Sequence, residues 1–257
     1  MYVSDKLLES LLMKTQSQGA LFCFSPPVMI ATFCIEIAGA LWTLWRYKAN
    51  RASQLICLVL LFLATFQFAE YMVCERAVFL SSLDWAKVGF AAISMLPALG
   101  FHLTLELAHK KSRLLLGLGY AFALSFAVFF LVVAHGIASS QCTGNYVIFQ
   151  MMPNMMYFYA FYYHVWLIIG ITLAFKASRE GLKNATALLY LGIGYASFML
   201  PTTIVYLVDP TTINGIPSIM CGFAVLLALC LIFAVLPNIE GIETTERPWV
   251  KKLINQG

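Results

Sequence analysis

The chain has 257 residues, of which 61% are hydrophobic and only 11% charged. A soluble domain carries roughly 25% charged residues, so this composition, with a mean hydropathy of +0.83, excludes a water-soluble globule. The formal charge of +4 is accounted for by cations in a few loops and gives no reason to invoke nucleic acid.

The first 26 residues begin "MYVSDKLLESLLMKTQSQ". They lack the basic start and apolar core of a signal peptide. Leu7, Leu8, Leu11 and Leu12 share one helical face, which suits a short helix lying on the outer membrane surface. Ser25-Pro26-Pro27 then opens the first of seven apolar runs, with proline placed in the first helical turn. The runs predict helices near 27–45, 53–74, 86–108, 114–137, 155–175, 186–208 and 216–236. Each is long enough to cross a hydrocarbon core of about 30 Å. Lipid offers the backbone no hydrogen-bond partners, so each must be helical. The fold class is therefore all-α, a polytopic bundle of seven transmembrane helices over residues 27–237, followed by a short tail over 238–257.

The loops orient the bundle. Arg46, Lys48 and Arg51 follow helix 1, Lys110, Lys111 and Arg113 follow helix 3, and Lys176, Arg179 and Lys183 follow helix 5. The opposite loops hold only Arg76 and Lys87. The positive-inside rule then places the N-terminus outside and the C-terminus in the cytoplasm. The longest loop, "SSQCTGNYVIFQMMPN", falls outside between helices 4 and 5. Of seven cysteines, Cys34, Cys57 and Cys230 fall within spans and read as small core residues. Cys23, Cys74, Cys142 and Cys221 fall at or near the outer side, where an oxidising compartment would allow a disulfide among them.

Ionisable groups at bilayer depth are costly and mark interior sites or pathways. Glu36 and His164 fall near mid-depth, and His102 and Glu106 share a face in the inner half of helix 3. These four form one candidate buried cluster for a ligand or a metal. Glu106-x-x-His109 has the spacing of di-iron carboxylate bundles, but Glu70, in the outer third of helix 2, lies far from it. A second candidate cluster is Cys23, Glu70 and Cys221, which share a depth near the outer surface; thiolate and carboxylate suit zinc. His135 or His164 could supply a further ligand. The bland alternative for both clusters is that these groups bond to one another or to backbone and specify packing. Helix 7 has no lysine for a retinal Schiff base, and HExxH and phosphate-binding glycine loops are absent.

Two resemblances bear on function. "LDWAKVGFAAISMLPALGFHLTLELAHKK" resembles the third helix of the N-terminal seven-helix region of bacterial sensor histidine kinases, and "INGIPSIMCGFAVLLAL" resembles its last helix. That resemblance implies an input module with seven spans and an outer N-terminus. Cys23-Phe24-Ser25, "FQFAEYMV" and "SIMCGFAVL" resemble the Cys-Phe-Ser family of bacterial membrane proteins, mapping its helix-2 glutamate to Glu70 and its last-helix cysteine to Cys221. Together they imply a multi-pass protein of the bacterial inner membrane. The expected function is a ligand- or metal-binding membrane module, a sensory input acting through a partner protein or a homo-oligomer. The alternatives are a metal-dependent membrane enzyme using zinc or iron at the buried His and Glu residues, and a transporter or channel.

Overall fold

The computed structural model describes residues 25–75, 80–133, 136–143, 146–152, 154–181 and 183–244. The expected surface helix over 1–24, Cys23, Arg76, His135 and the tail beyond 244 lie outside the described residues. Seven helices among those described are long and apolar enough to cross a membrane, and the chain is an integral, multi-pass membrane protein.

Helix α1 spans Pro26–Arg46 and starts from an extended Ser25 with prolines in its first turn. Helix α2 spans Arg51–Glu75. Helix α3 spans Ser82–Leu107 and starts four residues before the expected position. The reason is an N-cap: the Asp84 amide donates to Ser81 Oγ at 3.1 Å, and the Ser81 hydroxyl donates to Asp84 Oδ2 at 2.7 Å. Helices α4 to α7 span Arg113–Val132, Met155–Arg179, Ala185–Val208 and Ile216–Cys230. A 3-10 turn over Pro210–Gly215 leads into α7, and a π turn over Leu231–Val235 continues it.

Helix α3 is the most enclosed of the seven and packs against α2, α4, α5 and α6. Helix α7 packs against α1, α2 and α6. Helix α4 is peripheral and exposes Leu114, Phe122, Leu124, Val128 and Leu131, as a lipid-facing helix should. Cys34, expected in the core, is exposed, whereas Cys57 is buried.

Helix 4 was expected to run to residue 137, but α4 ends at Val132 and Ile137 begins a strand. Strands β1 (Ile137–Cys142) and β2 (Val147–Met151) pair antiparallel, with Cys142 opposite Val147 and Ser140 opposite Phe149. The hairpin sits on one end of the bundle as a plug. Ile137, Val147 and Phe149 are buried, and the Phe149 ring lies edge-on to Phe90 at 4.9 Å and tilted to Phe66 at 6.3 Å. A disulfide, Cys74–Cys142, ties the end of α2 to β1. At the opposite end Asn184, which is buried, donates to the Leu107 carbonyl at 3.0 Å and accepts from the Glu240 amide at 2.9 Å. That one side chain joins the end of α3, the start of α6 and the segment after α7.

Candidate functional site

Helix α2 presents Gln67 and Glu70 three residues apart, and α7 presents Ser218 and Cys221 three residues apart. Such spacing puts each pair on one helical face, and the two faces meet. Gln67 Nε2 donates to the Cys221 carbonyl at 2.8 Å. The Val147 amide of the hairpin donates to Ser218 Oγ at 3.1 Å, and the Ser218 hydroxyl in turn serves one oxygen of Glu70. Helix α1 adds Glu36, which lies within electrostatic range of Glu70, and Cys221 lies within range of both carboxyls. One turn further along α1, Gly39 leaves no room for a Cβ against Ile232 of the π turn, so α1 and α7 approach closely beside the acids.

Glu36 is fully enclosed, and Glu70 is 2% exposed. Neither oxygen of Glu36 meets a hydrogen-bond partner, and Oε1 of Glu70 meets none. A buried polar group without a partner costs roughly 2–7 kcal/mol, and an isolated buried charge far more. Two neighbouring carboxyls left this way cannot both be charged.

The structure places the sequence-derived residues in three separate regions. Glu36, Glu70 and Cys221 come together, so Glu36 joins Glu70 and Cys221 of the expected outer cluster, whose third member, Cys23, lies outside the described residues. His102 and Glu106 stay with each other and with Arg51, and His102 Nδ1 meets the Tyr120 hydroxyl at 2.9 Å. Arg51 starts α2, and Glu70 lies 19 residues further along it, about 28 Å away at about 1.5 Å per residue. His109 follows α3 in a left-handed conformation and faces Asn184 Nδ2 at 3.3 Å. His164 is in the third region, on α5. The expected buried cluster of Glu36, His102, Glu106 and His164 is therefore not assembled. Among the described residues no three His, Cys, Asp or Glu side chains group to hold a metal ion.

The third region is a groove of about 480 Å³ between α5, α6 and the start of α7. Its volume falls in the usual range for small-molecule sites, about 300–1,000 Å³. Tyr159, Tyr163, Met199, Thr203 and Met220 are among its walls, and His164 lies on it. Thr203 satisfies its hydroxyl on the Met199 carbonyl at 2.8 Å. His164 Nδ1 is 2.8 Å from the Ala160 carbonyl. A carbonyl only accepts, so Nδ1 donates there, and Nε2 is the ring nitrogen left for another partner. Tyr163 and Met220 also line a small interior cavity of about 20 Å³ beside Tyr195 and Cys221. They separate the groove from that cavity.

Sequence reading missed the groove because it arises from tertiary spacing. The tyrosine-rich start of α5, "MMYFYAFYYH", was the one local sign of it. Gln67 and Ser218 were legible in principle from their three-residue offsets to Glu70 and Cys221. The chain matches no protein-family model and no curated protein sequence.

Proposed function

We propose that this chain is a seven-helix membrane module that binds a lipid-soluble small molecule in the α5–α6 groove and passes the event to a partner. The observation that carries this reading is the groove itself, with His164 as its polar anchor. His164 lies nine residues into α5, about 14 Å at about 1.5 Å per residue. That is close to mid-depth in a core of about 30 Å. A ligand that reaches it must partition into hydrocarbon. His164 gives the polar end of that molecule a hydrogen-bonding partner, so the ligand carries a hydroxyl or a similar polar group on an apolar body.

The orientation is N-terminus outside and C-terminus cytoplasmic. Two features support it: the cations that flank α1, α3 and α5 at one end, and a disulfide at the other, as an oxidising compartment favours. The resemblance to the seven-helix sensor region supports a sensory role in a bacterial inner membrane. The signal then goes to a partner protein or a second copy of the chain. Metal binding by zinc or iron, and the enzyme that would depend on it, have no donor set to support them among the described residues.

A long-chain alcohol bearing a diazirine, photolysed with the protein in liposomes, tests the ligand reading. Labelling should concentrate on residues 156–164 and 199–206 and fall at least several-fold in Ala160→Trp, which fills the groove. Labelling of α4 serves as the control for ordinary lipid contact. Equal labelling of α4 and the groove, unchanged in the variant, would refute the proposal.

A further inference from the structure

We infer that Glu36 and Glu70 form a proton-binding site, and that docking of the β1–β2 hairpin reports its occupancy. This inference does not depend on the groove holding a ligand.

Four observations carry it. Glu36 is fully enclosed with both carboxyl oxygens unpartnered, and Glu70 is 2% exposed with one oxygen unpartnered. The two carboxyls lie within electrostatic range of each other. Among the described residues, the other titratable group within range of the pair is the Cys221 thiol of α7, beyond which lie Tyr159 and Tyr163 of α5. No lysine, arginine or histidine among the described residues contributes to the electrostatics of either acid. Two carboxylates in a low-dielectric interior without a counter-charge repel each other and lose hydration, so one of the two ionises only at great cost. The site takes up a proton from hydronium, forms an O–H bond on a carboxyl oxygen and releases water. It needs no room for a larger ion, which fits the close approach of α1 and α7 at Gly39.

The readout follows from connectivity. Glu70 shares the Ser218 hydroxyl, and Ser218 accepts the Val147 amide. A full negative charge on Glu70 would reorient that hydroxyl and repel Glu36. The hairpin is the element directly attached to the group that moves. The protonated pair therefore holds the hairpin docked, and loss of the proton loosens it.

Infrared spectroscopy of the full chain in lipid tests the site. At neutral pH a protonated-carboxyl C=O band should be present, shift down in D2O and weaken in both Glu36→Gln and Glu70→Gln. Hydrogen exchange at Val147–Met151, expressed as protection relative to the intrinsic amide rate at each pH, tests the readout: protection should fall at least tenfold as the pH is raised in the wild type and stay flat in Glu70→Gln, the neutral isostere of the acid that faces Ser218. Should the glutamine variants fail to fold, the band and its disappearance on alkaline titration of the wild type decide alone. Carboxylate bands alone at neutral pH would overturn the proposal. So would a protonated band that disappears on adding sodium at fixed pH, which would assign the site to a metal cation.

Discussion

Replacing Phe149 by alanine removes the side chain that seats the hairpin. The ring is 1% exposed and packs edge-on to Phe90 at 4.9 Å and against Phe66 at 6.3 Å. A buried Phe→Ala change costs about 3–5 kcal/mol, including the cavity left behind, and aromatic pairing contributes about 0.5–1.5 kcal/mol of that. The Cys74–Cys142 disulfide still tethers β1 to α2, and Ile137 and Val147 still offer buried surface. The loss therefore appears as local undocking and not as global unfolding. A loss of about 3 kcal/mol, at about 1.4 kcal/mol per decade, speeds opening-limited exchange of the hairpin amides on the order of a hundredfold. Amides in the middle of α3 should not change. Hydrogen exchange read by mass spectrometry checks both. Hairpin exchange within about threefold of wild type would refute the plug.

Other positions follow the same physics. A Cβ built on Gly100 would lie 2.5 Å from the Tyr195 hydroxyl oxygen, so Gly100→Ala should lower stability by about 1–3 kcal/mol through overpacking. Adding Tyr195→Phe, which removes that oxygen, should restore most of the melting temperature. Asn184→Ala strands the Leu107 carbonyl and the Glu240 amide and should cost about 1–3 kcal/mol, seen as a lower melting temperature with hairpin exchange unchanged. The Lys110 ammonium, 2.8 Å from Glu180, holds that carboxyl below its usual range through a hydrogen bond and charge. Its stabilising effect is present above the unfolded carboxyl value of about 4.3 and is lost as pH falls through the lower folded value. The difference in melting temperature between wild type and Lys110→Ala should therefore be largest near neutral pH, vanish in acid and shrink in high salt.

The spans were legible because hydrocarbon imposes one rule on every residue in them. Runs long enough to cross must be helical, and α1, α2, α5 and α6 start and stop within a few residues of the expected positions. The hairpin was not legible as strand. β1 reads "IASSQC", with no alternation of apolar and polar side chains, and its strand character comes from pairing with β2 and from Phe149 finding the Phe66–Phe90 slot. Gly144-Asn145 between Cys142 and Val147 was the available turn signal. Depth along a helix was enough to bring Glu70 and Cys221 together, because both sit near one end of their spans. It gave no reason to join Glu36 to them, since Glu36 lies mid-span on α1 and counting residues from a helix end ignores how α1 packs against α2 and α7. His164 was expected near mid-depth and His102 and Glu106 in the inner half of their helix, and depth says nothing about which neighbour each helix turns toward.

The proposed function depends most on the α5–α6 groove being a place where a membrane-dissolved molecule sits. A density map of the protein in lipid nanodiscs at about 2.5 Å measures this most directly. Elongated non-protein density that ends against His164 and is stronger than the lipid shell around α4 is the expected result. A groove closed by its own side chains, or density no different from the surrounding lipid, would contradict it.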